Sequence, residues 1–195
     1  MQGDALTLTQ SQLARQERML EVASRLATEG GFDAVQMRAV AADADVALGT
    51  LYRYFPSKEH LLVSAMLRQI ADLADRLAVR PPTGDTPLDR LIDVLRRASQ
   101  SLQSQRNFTL AVVRALASGD ETVAPAVREV RVAMREIILG AIGGEPSDRD
   151  HVVAEVLEEV WLSALVSWIS GVDDAASVPR KLEDAARLLL PNGRD

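Results

Sequence analysis

The chain has 195 residues, 47% of them hydrophobic and only 4% aromatic, with a formal net charge of −6 at pH 7. Such a length and apolar content exclude a disordered chain and leave room for one or two packed units. The absence of cysteine excludes disulfides, thiolate metal sites and thiol catalysis, and no apolar run approaches the roughly 20 residues that span a bilayer.

The first stretch, MQGDALTLTQ, lacks the basic and apolar regions of an export signal, so a cytoplasmic protein is expected. Residues 1–10 read as a polar tail. A first helix is predicted from Ser11 to Glu29, with Leu13, Met19, Leu20, Ala23, Leu26 and Ala27 at helical spacing and Gly30–Gly31 as its stop. Phe32 and Val35 are expected to pack beneath the next elements.

Residues 36–58, QMRAVAADADVALGTLYRYFPSK, read as a helix-turn-helix. One helix covers Met37 to Asp43, and Met37, Val40 and Ala41 face inward. The turn lies at Asp43–Val46, where Asp45 tolerates an unusual backbone better than most residues. The second helix covers Leu48 to Tyr54, anchored by Leu51 and Phe55 and closed by Pro56. Its Leu48, Gly49, Thr50, Tyr52, Arg53 and Tyr54 combine flat aromatics, a hydroxyl, a guanidinium and a glycine, a surface suited to a major groove. The alternative is that Tyr52 and Tyr54 are ordinary half-buried aromatics.

Charge speaks against nucleic acid, because most DNA-binding domains are basic. Residues 1–58 set Arg15, Arg18, Arg25, Arg38, Arg53 and Lys58 against Asp4, Glu17, Glu21, Glu29, Asp33, Asp43 and Asp45. Weak non-specific affinity is expected, with specificity resting on base contacts and dimer geometry.

Ser57 caps a predicted long helix from Lys58 to Leu77, striped by Leu61, Leu62, Ala65, Met66, Ile70, Leu73 and Leu77. RPPTGD, Arg80 to Asp85, breaks it. Thr86 and Pro87 open another helix carrying Leu88, Leu91, Ile92, Leu95 and Leu102. Further helices are predicted at 107–118, 121–140, 147–170 and 177–190, and Pro191–Gly193 ends the fold. No strand-length alternation persists, so the fold is expected to be all-α with about nine helices.

One enzymatic alternative exists. Asp148, His151, Glu155 and Glu158 share one helix face, the placement used by di-metal carboxylate bundles. The remaining histidine, His60, has Glu59 beside it rather than at ligand spacing, so a solvated acidic face is the better reading. No catalytic, metal or cofactor residue is assigned.

The Gly31–Phe32 pair, Ala41, Gly49–Tyr54, Phe55 and Lys58 together resemble the TetR family of one-component repressors. Within it, the run GGFDAVQMRAVAADADVALGTLYRYFPSKEHLLVSA and the segments EVWLSALVSWIS and RKLEDAARLLL are most similar to the repressors of sterol (cholesterol) catabolism. Residues 80–150 carry the weakest match. Asp45 replaces the glycine usual in the turn, Ala47 the usual Ser or Thr cap, and Gln36 a common Thr. A lost cap costs about 1 kcal/mol.

The resemblance implies a DNA-binding domain at 11–57 and a ligand-binding and dimerisation domain at 58–195. Gln36, Arg38, Thr50, Tyr54 and Lys58 are expected at phosphates or groove edges, and Leu48, Gly49, Tyr52 and Arg53 nearest the bases. Met66, Ile70, Leu95, Phe108, Val112, Leu116, Met134, Ile138, Trp161 and Leu165 are candidate pocket walls, with plain core as the alternative. Trp161, Leu165 and Trp168, with Leu182, Ala186 and Leu189, are candidates for a homodimer interface; full burial within one chain is the alternative. The implied partners are a palindromic double-stranded operator and a small apolar effector, of which a sterol-derived coenzyme A thioester is one form. Arg97, Arg106, Arg114 and Arg131 are available for its phosphates. A regulator of efflux or fatty-acid metabolism would share the same reading head.

Overall fold

The computed structural model describes residues 10–190. The polar tail, apart from Gln10, and the terminus at Pro191–Gly193 lie outside the described residues. Nine α-helices and one 3₁₀ turn, and no strand, occur among the described residues. Helix α1 spans Gln10–Ala34, α2 Met37–Asp43, α3 Leu48–Tyr54, α4 Lys58–Val79 and α5 Pro87–Ser104. Then come α6 Arg106–Leu116, a 3₁₀ turn at Glu121–Val123, α7 Ala124–Ile142, α8 Asp148–Ile169 and α9 Ser177–Leu189.

Helix starts follow the capping residues. Ser57 Oγ accepts from the His60 amide at 3.1 Å. Thr86 with Asp89, and Ser147 with Asp150, form reciprocal capping boxes, and Pro87 occupies the first turn of α5. Ala47 offers no side-chain cap to α3, as its replacement of Ser or Thr requires. Two predicted boundaries shift. Gly31, at φ 69°, ψ −159°, kinks α1 instead of ending it, and a further turn runs on to Ala34. Residues 121–123 are a 3₁₀ turn rather than the start of α7, because the Asp120 carboxylate caps the Thr122 amide at 2.9 Å and Pro125 then opens the α-helix.

The turn between α2 and α3 ends α2 in a Schellman motif. The Val46 amide donates to Ala41 O at 2.9 Å and the Asp45 amide to Ala42 O at 3.2 Å, while Asp45 takes φ 53°. Leu51 and Phe55 are buried in the same continuous core as Met19, Ala23 and Ala27. Helix α1 packs on α4 and α6, so the reading head rests directly on the larger bundle; α7 packs on α4, α5 and α8, and α8 on α9.

Candidate DNA-reading surface and ligand cavity

With Leu51 and Phe55 buried, α3 presents its other side outward. Gly49 and Arg53 are exposed, Tyr52 is 47% exposed, and Leu48, Thr50 and Tyr54 are half-buried. A Cβ placed on Gly49 would meet nothing within 4 Å, so the packing of this chain does not require the glycine. Arg53 leans over the Tyr54 ring, 5.8 Å from its centre. Gln36 and Arg38 are exposed, and the Gln36 amide donates to Asp33 O at 2.8 Å. Lys58 is drawn inward: its ammonium lies against the Phe32 ring and carbonyl rather than free at the surface.

In the bundle, α4, α5, α6, α7 and α8 surround a largely apolar cavity of about 210 Å³. Of the predicted wall residues, Met66, Ile70, Leu116, Met134, Trp161 and Leu165 line it. Leu95, Phe108, Val112 and Ile138 do not; each is buried core, because helical spacing marks the inward face without saying whether the opposite side is filled. Gln69, Ser101, Arg131, Glu158 and Glu159 also line the cavity and escape any apolar-periodicity argument. A second cavity, about 470 Å³, lies beyond Ile70, bordered by Leu67, Val94, Ile137 and Gly140.

Glu158 pairs with Arg131 at 3.2 Å and Arg135 at 3.4 Å, and Arg131 also bonds Glu159 at 2.8 Å. Burial pushes the Glu158 carboxyl above the usual range, against the pull of the two guanidiniums. The four-residue metal alternative dissolves here. Glu158 serves arginines, Asp148, His151 and Glu155 are exposed, and no metal-capable cluster occurs among the described residues. Of the four arginines expected at thioester phosphates, Arg131 alone reaches the cavity, and it is already bonded. Arg97 binds Asp93 and two loop carbonyls, Arg114 pairs with Asp33, and Arg106 lies exposed at the start of α6.

The expected dimer residues need correction. Trp161, Leu165, Trp168, Leu182 and Ala186 are buried within the chain, and Leu189 is half-buried against its core. The tryptophan stripe is the inward face of α8. Its outward face carries Val152, Val156 and Val166, Leu162 is exposed at the cavity wall, and Leu188 is exposed on α9.

One hydrogen-bonded path joins cavity to reading head. Gln69 Nε2 donates to Gln105 Oε1 at 3.2 Å, and the Thr28 hydroxyl of α1 shares its one proton between Ser24 O at 2.8 Å and the same Gln105 oxygen at 3.3 Å. Among the described residues no helix is long and apolar enough to cross a membrane.

Residues 19–65 match the bacterial regulatory proteins of the tetR family, and residues 84–189 match the tetracyclin repressor-like C-terminal domain. The chain is 41% identical over 184 residues to the HTH-type transcriptional repressor KstR of Rhodococcus jostii, covering 94% of this chain and 86% of that one. It is 39% identical over 186 residues to KstR of Mycobacterium tuberculosis, covering 93% and 83%. A crystal structure of a TetR transcriptional regulator from Rhodococcus sp. RHA1 shares 34% identity with a TM-score of 0.86, covering 95% of this chain and all (100%) of that one. The helical architecture, the exposed α3 and these likenesses over nearly the whole chain agree: the protein belongs to the TetR family of DNA-binding transcriptional regulators and is a homologue of the KstR repressors.

Proposed function

We propose that the protein is a homodimeric repressor of sterol or lipid catabolism genes, released from a palindromic operator by a small apolar effector. The supporting observation is the coexistence, in one chain, of an outward α3 and an apolar cavity whose wall residue Gln69 is bonded through Gln105 to α1. Residues 11–57 read DNA, and residues 58–195 bind effector and partner subunit. Leu48, Gly49, Tyr52 and Arg53 lie nearest the bases, with Gln36, Arg38, Thr50 and Tyr54 toward phosphates; bare Gly49 lets the helix approach closely.

Lys58 acts first by holding α4 to α1. The second subunit docks on the outward α8 face of Val152, Val156 and Val166, because adjacent exposed apolar side chains mark an interface. Two-fold symmetry then sets the recognition helices about one DNA turn apart.

Effector in the cavity displaces α4 and strains the Gln69–Gln105–Thr28 link, which favours a head spacing that no longer fits the operator. This requires the effector to bind the released state more tightly than the DNA-bound one. Fluorescence anisotropy on labelled promoter fragments tests the reading, with sterol-derived coenzyme A thioesters added and straight-chain acyl thioesters as controls. Competitor-resistant binding released by the sterol compounds alone is the expected result. Release by straight-chain thioesters alone would transfer the protein to fatty-acid regulation, and unchanged operator affinity at effector saturation would remove the ligand-gated mechanism.

A further inference from the structure

The second cavity, about 470 Å³, opens between α4 and α7 on the other side of Ile70 from the effector cavity. Its volume falls within the roughly 300–1,000 Å³ of small-molecule sites. Among the described residues Ile70 alone belongs to both walls, and it is buried between them. Leu67, Ala71 and Ala74 of α4 and Ala133, Ile137 and Gly140 of α7 give the groove apolar sides; Ala71, Ala74 and Gly140 are exposed and the others half-buried. A Cβ on Gly140 would meet nothing within 4 Å, and its φ is not left-handed, so neither packing nor backbone conformation requires the glycine. Its bare backbone leaves open space for a molecule coming close.

Glu136 is the one charged residue on this wall among the described residues, and its carboxylate makes no ion pair or hydrogen bond with any of them. Arg90, Arg97 and Arg135 adjoin the wall, and all three are committed elsewhere. Arg90 donates to Ala141 O at 3.1 Å and Ile142 O at 2.8 Å, Arg97 binds Asp93 and the Arg80 and Pro81 carbonyls, and Arg135 stands 3.4 Å from Glu158.

We propose that the α4–α7 groove is a second binding site, separate from the effector cavity, for an amphipathic cation whose apolar chain lies against Ala71, Ala74 and Gly140 while its ammonium pairs with Glu136. A neutral amphiphile fills the same walls but leaves the carboxylate to water. An anionic one brings like charge to Glu136, and no uncommitted cation of the wall offsets it. Helix α4 begins at Lys58, held against Phe32, so the occupant touches the helix that joins bundle to reading head. The inference is independent of what the effector cavity holds.

The test is titration calorimetry of the full chain with three matched probes below their micellar concentrations: octylammonium, octan-1-ol and octyl sulfate. Octylammonium is expected to bind about two- to fivefold more tightly than the alcohol, the worth of one partly exposed ion pair, and octyl sulfate more weakly than either. Glu136→Gln should abolish the advantage of the ammonium over the alcohol. Gly140→Leu sets a side chain into the groove from an exposed helical position with room for it, so the fold should persist while octylammonium affinity falls at least about tenfold. In the wild-type chain the Ala71 and Ala74 methyl resonances should move with octylammonium, while the methyls of Met66 and Met134, which line the effector cavity and not the groove, stay in place. Moving methionine methyls with stationary alanines would overturn this inference and leave the effector cavity standing as the one site. Equal binding of ammonium and alcohol, tightest binding of the sulfate, full affinity in G140L, or binding of none of the three would each overturn it as well.

Discussion

The Lys58 ammonium lies 3.8 Å from the centre of the Phe32 ring and donates to the Phe32 carbonyl oxygen at 3.3 Å. The guanidinium of Arg114 sits 4.1 Å from the centre of the same ring. The start of α4 and the end of α6 thus both grip the last turn of α1, where reading head and bundle meet.

Phe32→Leu keeps the apolar bulk and removes the ring face. A cation–ring contact contributes about 0.5–2 kcal/mol depending on desolvation, so the substitution is expected to cost about 1–2 kcal/mol. Urea denaturation measures this directly; an unchanged midpoint would mean that the ring acts only as bulk.

Arg53 is exposed on α3 and makes no ion pair among the described residues. Arg53→Ala should leave the thermal midpoint nearly unchanged and weaken specific operator binding by about 1–3 kcal/mol. Anisotropy with operator and scrambled duplex separates the outcomes, since an equal loss on both would assign Arg53 to phosphates instead of bases.

Gln105 accepts from both Gln69 and Thr28. Gln105→Leu should preserve operator affinity and effector binding but reduce the factor by which effector weakens DNA binding, by about threefold or more, a coupling loss on the scale of 0.5–2 kcal/mol. The readout is operator affinity with and without saturating effector. An intact factor would place the coupling elsewhere.

His60 is half-buried, with its ring 6.0 Å from that of Phe55 and its Nδ1 3.4 Å from Ser64 Oγ. Burial holds its pKa below the ordinary 6.5, against the opposing pull of Glu129 and Asp120. The unfolded chain therefore binds the proton more readily than the folded one. The stability this neutral imidazole supports is complete above pH 6.5 and is lost as pH falls through the depressed folded value. Urea midpoints between about pH 7.5 and about pH 5.5 should fall with acidification, and His60→Gln should flatten that slope.

Val156 and Val166 lie on the outward face of α8, 37% and 43% exposed. A double substitution, V156E/V166E, should leave the helical content intact, convert dimer to monomer in sedimentation, and lower operator affinity by at least about tenfold, because one half-site then binds alone. A dimer that survives would move the interface off this face.

The sequence by itself determined the elements and the family. Ser57, Thr86, Ser147 and the prolines mark helix starts through groups that satisfy free amides, and the α2–turn–α3 segment is a local motif whose anchors, Leu51 and Phe55, fall where their spacing requires. Local chemistry of this kind is legible because every partner lies within a few residues. What the chain does at long range was decided only by the tertiary structure. Periodicity marks the buried side of a helix but not what stands across from it. Leu95, Phe108, Val112 and Ile138 therefore became solid core while Met66, Leu116 and Met134 became cavity wall. The same blindness made the Trp161–Trp168 stripe resemble an interface, although α9 and the cavity claim that side and the valines of the opposite face remain outside. Lys58 and Arg131 are long, charged and free in sequence. Only the folded arrangement commits one to Phe32 and the other to Glu158 and Glu159, because an ion chooses its partner by distance in space, not along the chain.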